Sequence, residues 1–121
     1  MTKATPPIQA QRVLAIDVSP AFNKVIQEKT GVTSILVHYG MLSLSLLSNV
    51  MPDLVVAPLL GSGFDILDVA DKLASFKFAG RLVAMTAPLP NPEAVRAEVQ
   101  AHVPKIPFDL VIVTEQDLPT P

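Results

Sequence analysis

Short apolar runs alternate along this chain with longer stretches whose apolar residues recur every third or fourth position. "VLAI" (Val13–Ile16) is continuous and apolar, the pattern of a strand buried on both faces. "SPAFNKVIQEKTG" then changes to helical spacing, with Phe22, Val25 and Ile26 on one face; Ser19 suits the N-cap, Pro20 the first helical position and Gly31 the stop. "TSILVHY" (Thr33–Tyr39) is rich in β-branched residues and predicts a second strand. "MLSLSLLSNV" (Met41–Val50) alternates Leu with Ser, as a strand does, yet Leu42, Leu46, Leu47 and Val50 also form a helical stripe. The helical reading is adopted, because strands on either side leave a crossover to be filled. "LVVAPL" (Leu54–Leu59) predicts the third strand and "GFDILDVADKLASF" (Gly63–Phe76) the next helix. "RLVAMT" (Arg81–Thr86) predicts the fourth strand. In "NPEAVRAEVQAHV", Asn91 caps, Pro92 opens and Glu93 suits the first turn of another helix; "LVIV" (Leu110–Val113) is the fifth strand.

Strands alternating with helices across such short connections imply a parallel sheet with helices on both faces. Ligands in such folds meet the carboxyl ends of the strands. The groups there are Asp17, Val18 and Ser19, then Pro58 to Ser62, Thr86 to Pro90, and finally Thr114 with Glu115. Composition narrows what they can do. The 121 residues suit one domain, read as 12–116 between a loose arm at 1–11 and a tail at 117–121. Half of the residues are hydrophobic, and the net charge of −2 argues against a nucleic-acid partner. With no cysteine there are no disulfides, thiol nucleophiles or thiolate metal sites, which fits a cytoplasmic protein. Gly40–Met51, the most apolar window, is too short and too rich in serine to cross a membrane.

The strand ends resemble those of the receiver domain of bacterial response regulators, the CheY-like fold, over Arg12 to Gln116. "MPDLVVAPLLGSGFD" is similar to the segment in which Pro-Asp and four apolar residues lead to the family's phosphate-accepting aspartate. The resemblance implies a flavodoxin/CheY-like doubly wound α/β sheet of five parallel strands in the order 2-1-3-4-5. It places the acceptor on Pro58. "RVLAIDVS" matches the strand that is followed by two magnesium-holding acids: Asp17 keeps the first, and Val18 replaces the second. "RLVAMTA" keeps the family's Thr and small residue as Thr86 and Ala87, whereas "LVIVTE" puts Glu115 where the family has a lysine. Proline cannot take a phosphoryl group, magnesium needs a cluster of oxygens, and Glu115 sets an anion where phosphate requires a cation. The expectation is a degenerate, non-phosphorylated pseudo-receiver. It would be no enzyme, carry no cofactor and act as a protein-interaction module in bacterial signalling. The alternative is a small flavodoxin-like binder of a nucleotide or flavin at the strand ends. An enzyme ranks lowest, because no acid–base pair converges there.

Each candidate also has a plain structural role. Asp17 suits a cap for the next helix, and Thr86 a bond to local backbone. His38 and His102 lie far apart without a second ligand at metal spacing, and Ser19 and Ser62 lack a base. Gly61–Gly63 lacks the lysine of a phosphate loop and reads as a tight turn. As substitute acceptors, Asp53 lies ~17 Å from the exit of its strand, and Asp65 reads as a dipole-stabilising acid in the first helical turn. Ala87–Pro92 is a proline-stiffened loop suited to a partner. Receiver domains close with a fifth helix, which the two prolines after Val113 preclude. One sheet face would then keep a single helix and a bare apolar patch. A homodimer is expected to bury it through the fifth strand and first helix, with Phe108, Val111 and Val113 in contact.

Overall fold

The computed structural model describes residues 10–114. Its strands are β1 (Val13–Ile16), β2 (Ile35–Val37), β3 (Leu54–Pro58), β4 (Arg81–Thr86) and β5 (Phe108–Ile112). They form one parallel sheet in the order β2-β1-β3-β4-β5. The connecting helices are α1 (Pro20–Thr30), α2 (Leu44–Val50), α3 (Ile66–Ser75) and α4 (Pro92–His102). This is the flavodoxin/CheY-like fold. The expected absence of a final helix concerns residues 115–121, which lie outside the described residues, as do 1–9 of the arm. Among the described residues no helix is long and apolar enough to cross a membrane.

The chain steps from β1 outward to β2, then returns past β1 to β3 and onward. With right-handed crossovers that reversal puts α1 on one face and α2, α3 and α4 on the other. The core divides accordingly. Leu14, Ile16, Val55, Leu82 and Phe108 pack toward the face with Leu47, Leu73 and Val99, while Val13, Leu54, Val56, Val83 and Met85 pack toward Val25 and Ile26 of α1. The caps explain the helix limits. Ser19 Oγ accepts from the Phe22 N–H at 3.2 Å, Gly31 ends α1 at φ 72°, and Asn91 Oδ1 accepts from Ala94.

Several boundaries differ from the sequence reading. β2 shrinks to three residues, because Tyr39 turns into a single 3-10 turn (Tyr39–Met41). α2 starts after Ser43, whose Oγ accepts from Leu46. α3 begins only at Ile66: Asp65 is its N-cap rather than a first-turn acid, in a reciprocal capping box with Asp68. β5 starts at Phe108, where pairing with Leu82 begins. The arm's last residues are tied down, since the Gln11 and Arg12 amides donate to the Asp53 carboxylate at 2.8 and 2.9 Å. Burial opposes ionisation of Asp53, but these amides, assisted by Arg81, hold its pKa below the ordinary value.

The bare patch expected on the α1 face is not there. Val83 is 6% exposed, Met85 1% and Val113 4%, all packed in one cluster with α1. Phe108 is 5% exposed and lies on the opposite face, so it is core and not a contact residue. The large exposed hydrophobics lie elsewhere: Ile35, Leu36, Met41, Leu44, Met51 and Leu60.

Candidate functional site

The carboxyl edge of the sheet gathers the residues singled out from the sequence, with the exception of Glu115, which lies outside the described residues. Asp17 leaves β1 at φ 49°, a left-handed conformation that Asp tolerates better than most residues. It does not cap α1; Ser19 does. Its Oδ2 accepts from the Tyr39 N–H at 2.8 Å, and its Oδ1 lies 2.9 Å from His38 Nδ1. An ionised carboxylate has no proton to give, so His38 Nδ1–H is the donor and Nε2 stays toward solvent. The His38 bond is the main reason the Asp17 pKa lies below its usual value; burial opposes, and the Tyr39 amide adds to the lowering. Asp17 thus ties the exit of β1 to the exit of β2.

Val18 is half-buried and packs with the α1-face cluster. Pro58 ends β3 opposite Met85, and the Leu59 N–H donates to the Met85 carbonyl at 2.9 Å. By strand alternation the missing Pro58 N–H faces β1, and the β1–β3 pairing stops at Ala15 and Val56 although β1 runs on to Ile16 and β3 to Pro58. Thr86 Oγ1 donates to the Ala87 carbonyl at 3.0 Å, a local bond. The Gly61–Gly63 turn is closed on itself, with the Gly61 N–H donating to the Phe64 carbonyl and Gly63 at φ 82°. A side chain at Gly61 would collide with the Phe64 ring, so this is a tight turn and not a phosphate cradle.

Sequence reasoning missed the packing above this edge. Tyr39 stacks on Phe64 with ring centres 4.5 Å apart, and Lys72 Nζ sits 4.1 Å from the Tyr39 ring centre. Desolvation, helped by the nearby Asp68, Asp65 and Asp71 charges, raises the Tyr39 pKa. The signal for His38 was present: it follows the second strand as Asp17 follows the first, and the 2-1-3-4-5 order makes those strands neighbours. His102 likewise bonds Asp71 through Nε2, at 2.7 Å.

A receiver's magnesium does not fit this donor set. Val18 and Pro58 offer no side-chain oxygen, and both oxygens of Asp17 are already engaged. No group of three His, Cys, Asp or Glu suited to a metal occurs among the described residues.

No protein-family model and no curated protein matches the chain. Among solved structures it is similar to a response regulator protein from Burkholderia multivorans, with a TM-score of 0.51 and 15% identity over 86% of this chain and 85% of that one. At that identity the likeness speaks for the fold alone, the flavodoxin/CheY-like parallel sheet.

Proposed function

We propose that this chain is a receiver-like interaction module of bacterial signalling, working in the cytoplasm and not switched by phosphorylation. One observation carries the reading. The strand end where a receiver accepts phosphate is a proline seated in the β3–β4 ladder. Two others support it. The surviving acid, Asp17, is spent on holding two strand exits together, and Val18 serves the core. What such a fold retains is its surfaces, so its output is binding. A nucleotide or flavin site draws less support, since the glycine turn that would approach a phosphate is filled by Phe64.

The test is intact-mass spectrometry after incubation with acetyl phosphate and magnesium. Neither the wild-type chain nor Pro58→Asp should gain a phosphoryl group, because Val18 and Glu115 remain and Asp17 stays bonded. A stoichiometric adduct on Asp17 or Asp65 would overturn the proposal.

A further inference from the structure

We infer that β2 is the docking edge of the molecule, and that its occupant is β2 of a second copy, paired antiparallel about a twofold axis through Leu36. The inference stands apart from the phosphorylation reading, and either can fail alone.

The backbone supplies the first argument. The Val37 carbonyl accepts from the Asp17 N–H at 2.8 Å, so Val37 and, by alternation, Ile35 turn their polar groups toward β1. Leu36 therefore turns its N–H and C=O away from the sheet, and so do Ser34 and His38. His38 keeps an extended backbone (φ −89°, ψ 153°), so this outward row runs past the end of β2. Among the described residues no side chain bonds to the Ser34 or Leu36 backbone. The segment 32–37 contains neither a charge nor a proline, the usual devices that blunt an edge.

The side chains supply the second. Ile35 is 44% exposed on the face of α2, and Leu36 is 55% exposed on the face of α1. Both surfaces of this edge are thus apolar and uncovered. A partner must offer a strand with apolar groups on both faces and no repelling charge. The segment meets these conditions itself. With Leu36 opposite Leu36 of the second copy, the two residues exchange both backbone bonds, and their side chains meet on one face. Ile35 then stands opposite Val37 on the other face. Ser34, whose buried Oγ has no partner among the described residues, stands opposite His38. An uncharged surface is self-compatible, as a twofold contact requires.

The cysteine-free chain allows a direct test. Paired residues at a hydrogen-bonded antiparallel position lie about 5.5 Å apart at Cα, within disulfide reach. Under mild oxidation Leu36→Cys should give a disulfide-linked dimer, while Asp109→Cys on the β5 edge should stay largely without a cross-link. Sedimentation velocity at micromolar concentration should find the wild type dimeric. Leu36→Lys should weaken the dimer about tenfold or more, with an unchanged far-UV circular dichroism spectrum because Leu36 is exposed. A monomeric wild type, a dimer indifferent to Leu36→Lys, or cross-linking favoured through Asp109→Cys would each overturn the proposal; the first would leave the edge to a strand of a different protein.

Discussion

The two outer strands of this sheet end it in opposite ways. At β5 the chain closes its own edge. Phe108 N–H, facing outward, donates to Gln100 Oε1 at 3.0 Å, and Leu110 N–H donates to Asp109 Oδ1 at 2.8 Å. At β2 the outward row of backbone groups meets no side chain among the described residues, and Ile35 and Leu36 stand exposed on either face. Both edges belong to the same fold and to apolar strands. What separates them is whether neighbouring polar side chains are spent on the strand's backbone. A closed edge stabilises the monomer, whereas an open one keeps its hydrogen bonds for a partner.

The largest effect is expected where the closed edge is best tied. Gln100 reaches from α4 to three groups: its Nε2 donates to the Val103 carbonyl at 3.1 Å and the Ile106 carbonyl at 2.8 Å, and its Oε1 takes the Phe108 N–H. These bonds are half-buried, so their loss leaves unsatisfied groups beside the core. Gln100→Ala should cost about 2–4 kcal/mol, read as a lower urea midpoint. It should also turn β5 into an associating edge. An unchanged midpoint would mean that Gln100 does not close this edge, and the contrast between the strands would lose its structural basis.

The open edge has its own anchor, and it is pH-dependent. Asp17 holds the exit of β2 through His38 and the Tyr39 amide. Asn tolerates the left-handed backbone and still accepts a hydrogen bond, but carries no charge. Asp17→Asn should therefore cost about 0.5–1 kcal/mol at neutral pH, the small value set by solvent screening. Because the His38 bond and the Tyr39 amide lower the folded-state pKa, the charge stabilises the fold above the unfolded value of about 3.9. That contribution fades as pH falls through the lower folded value. Urea midpoints of the two proteins should thus differ at pH 7 and converge below about pH 4. A gap that persists in acid would place the effect in the amide's packing and not in the charge.

Much of the fold was legible because its signals are local. Ser19, Gly31, Asn91 and the apolar runs each act within a few residues, so spacing alone places the helices and the parallel strands. The α3 boundary was misplaced because Gly63 and Phe64 continue the helical apolar spacing, while the Asp65–Asp68 capping box overrides it. Other features depend on which strands become neighbours. Asp17 reads as a cap until β1 and β2 lie side by side; His38 then outcompetes the helix for it. Likewise "ILV" in β2 resembles any buried parallel strand. Its exposure follows from its edge position, which is a property of sheet order and not of the segment. The expected contact through Phe108 failed for a related reason: alternation along β5 sends Phe108 to one face and Val111 and Val113 to the other, where Val113 is already buried.

The smallest change offers the sharpest comparison. Asp109 is exposed, and its Oδ1 closes a ring with the next residue's own amide. Removing it exposes one N–H to water, which hydrogen-bonds it in turn, so Asp109→Ala should shift stability by no more than about 0.5 kcal/mol. Its effect should fall on association, because the variant deletes both the charge and the plug from the β5 edge and leaves an uncharged strand, Phe108–Ile112, much like β2. Gln100 still holds the Phe108 amide, so the new edge is only partly open. Sedimentation of Asp109→Ala should therefore reveal species larger than the wild-type assembly, weakly and at high concentration. Combined with Leu36→Lys, the β5-mediated association should persist while the β2 contact is lost. If Asp109→Ala sediments as the wild type at every concentration, the Gln100 bond alone suffices to close β5, and the difference between the two edges rests on a single side chain of α4.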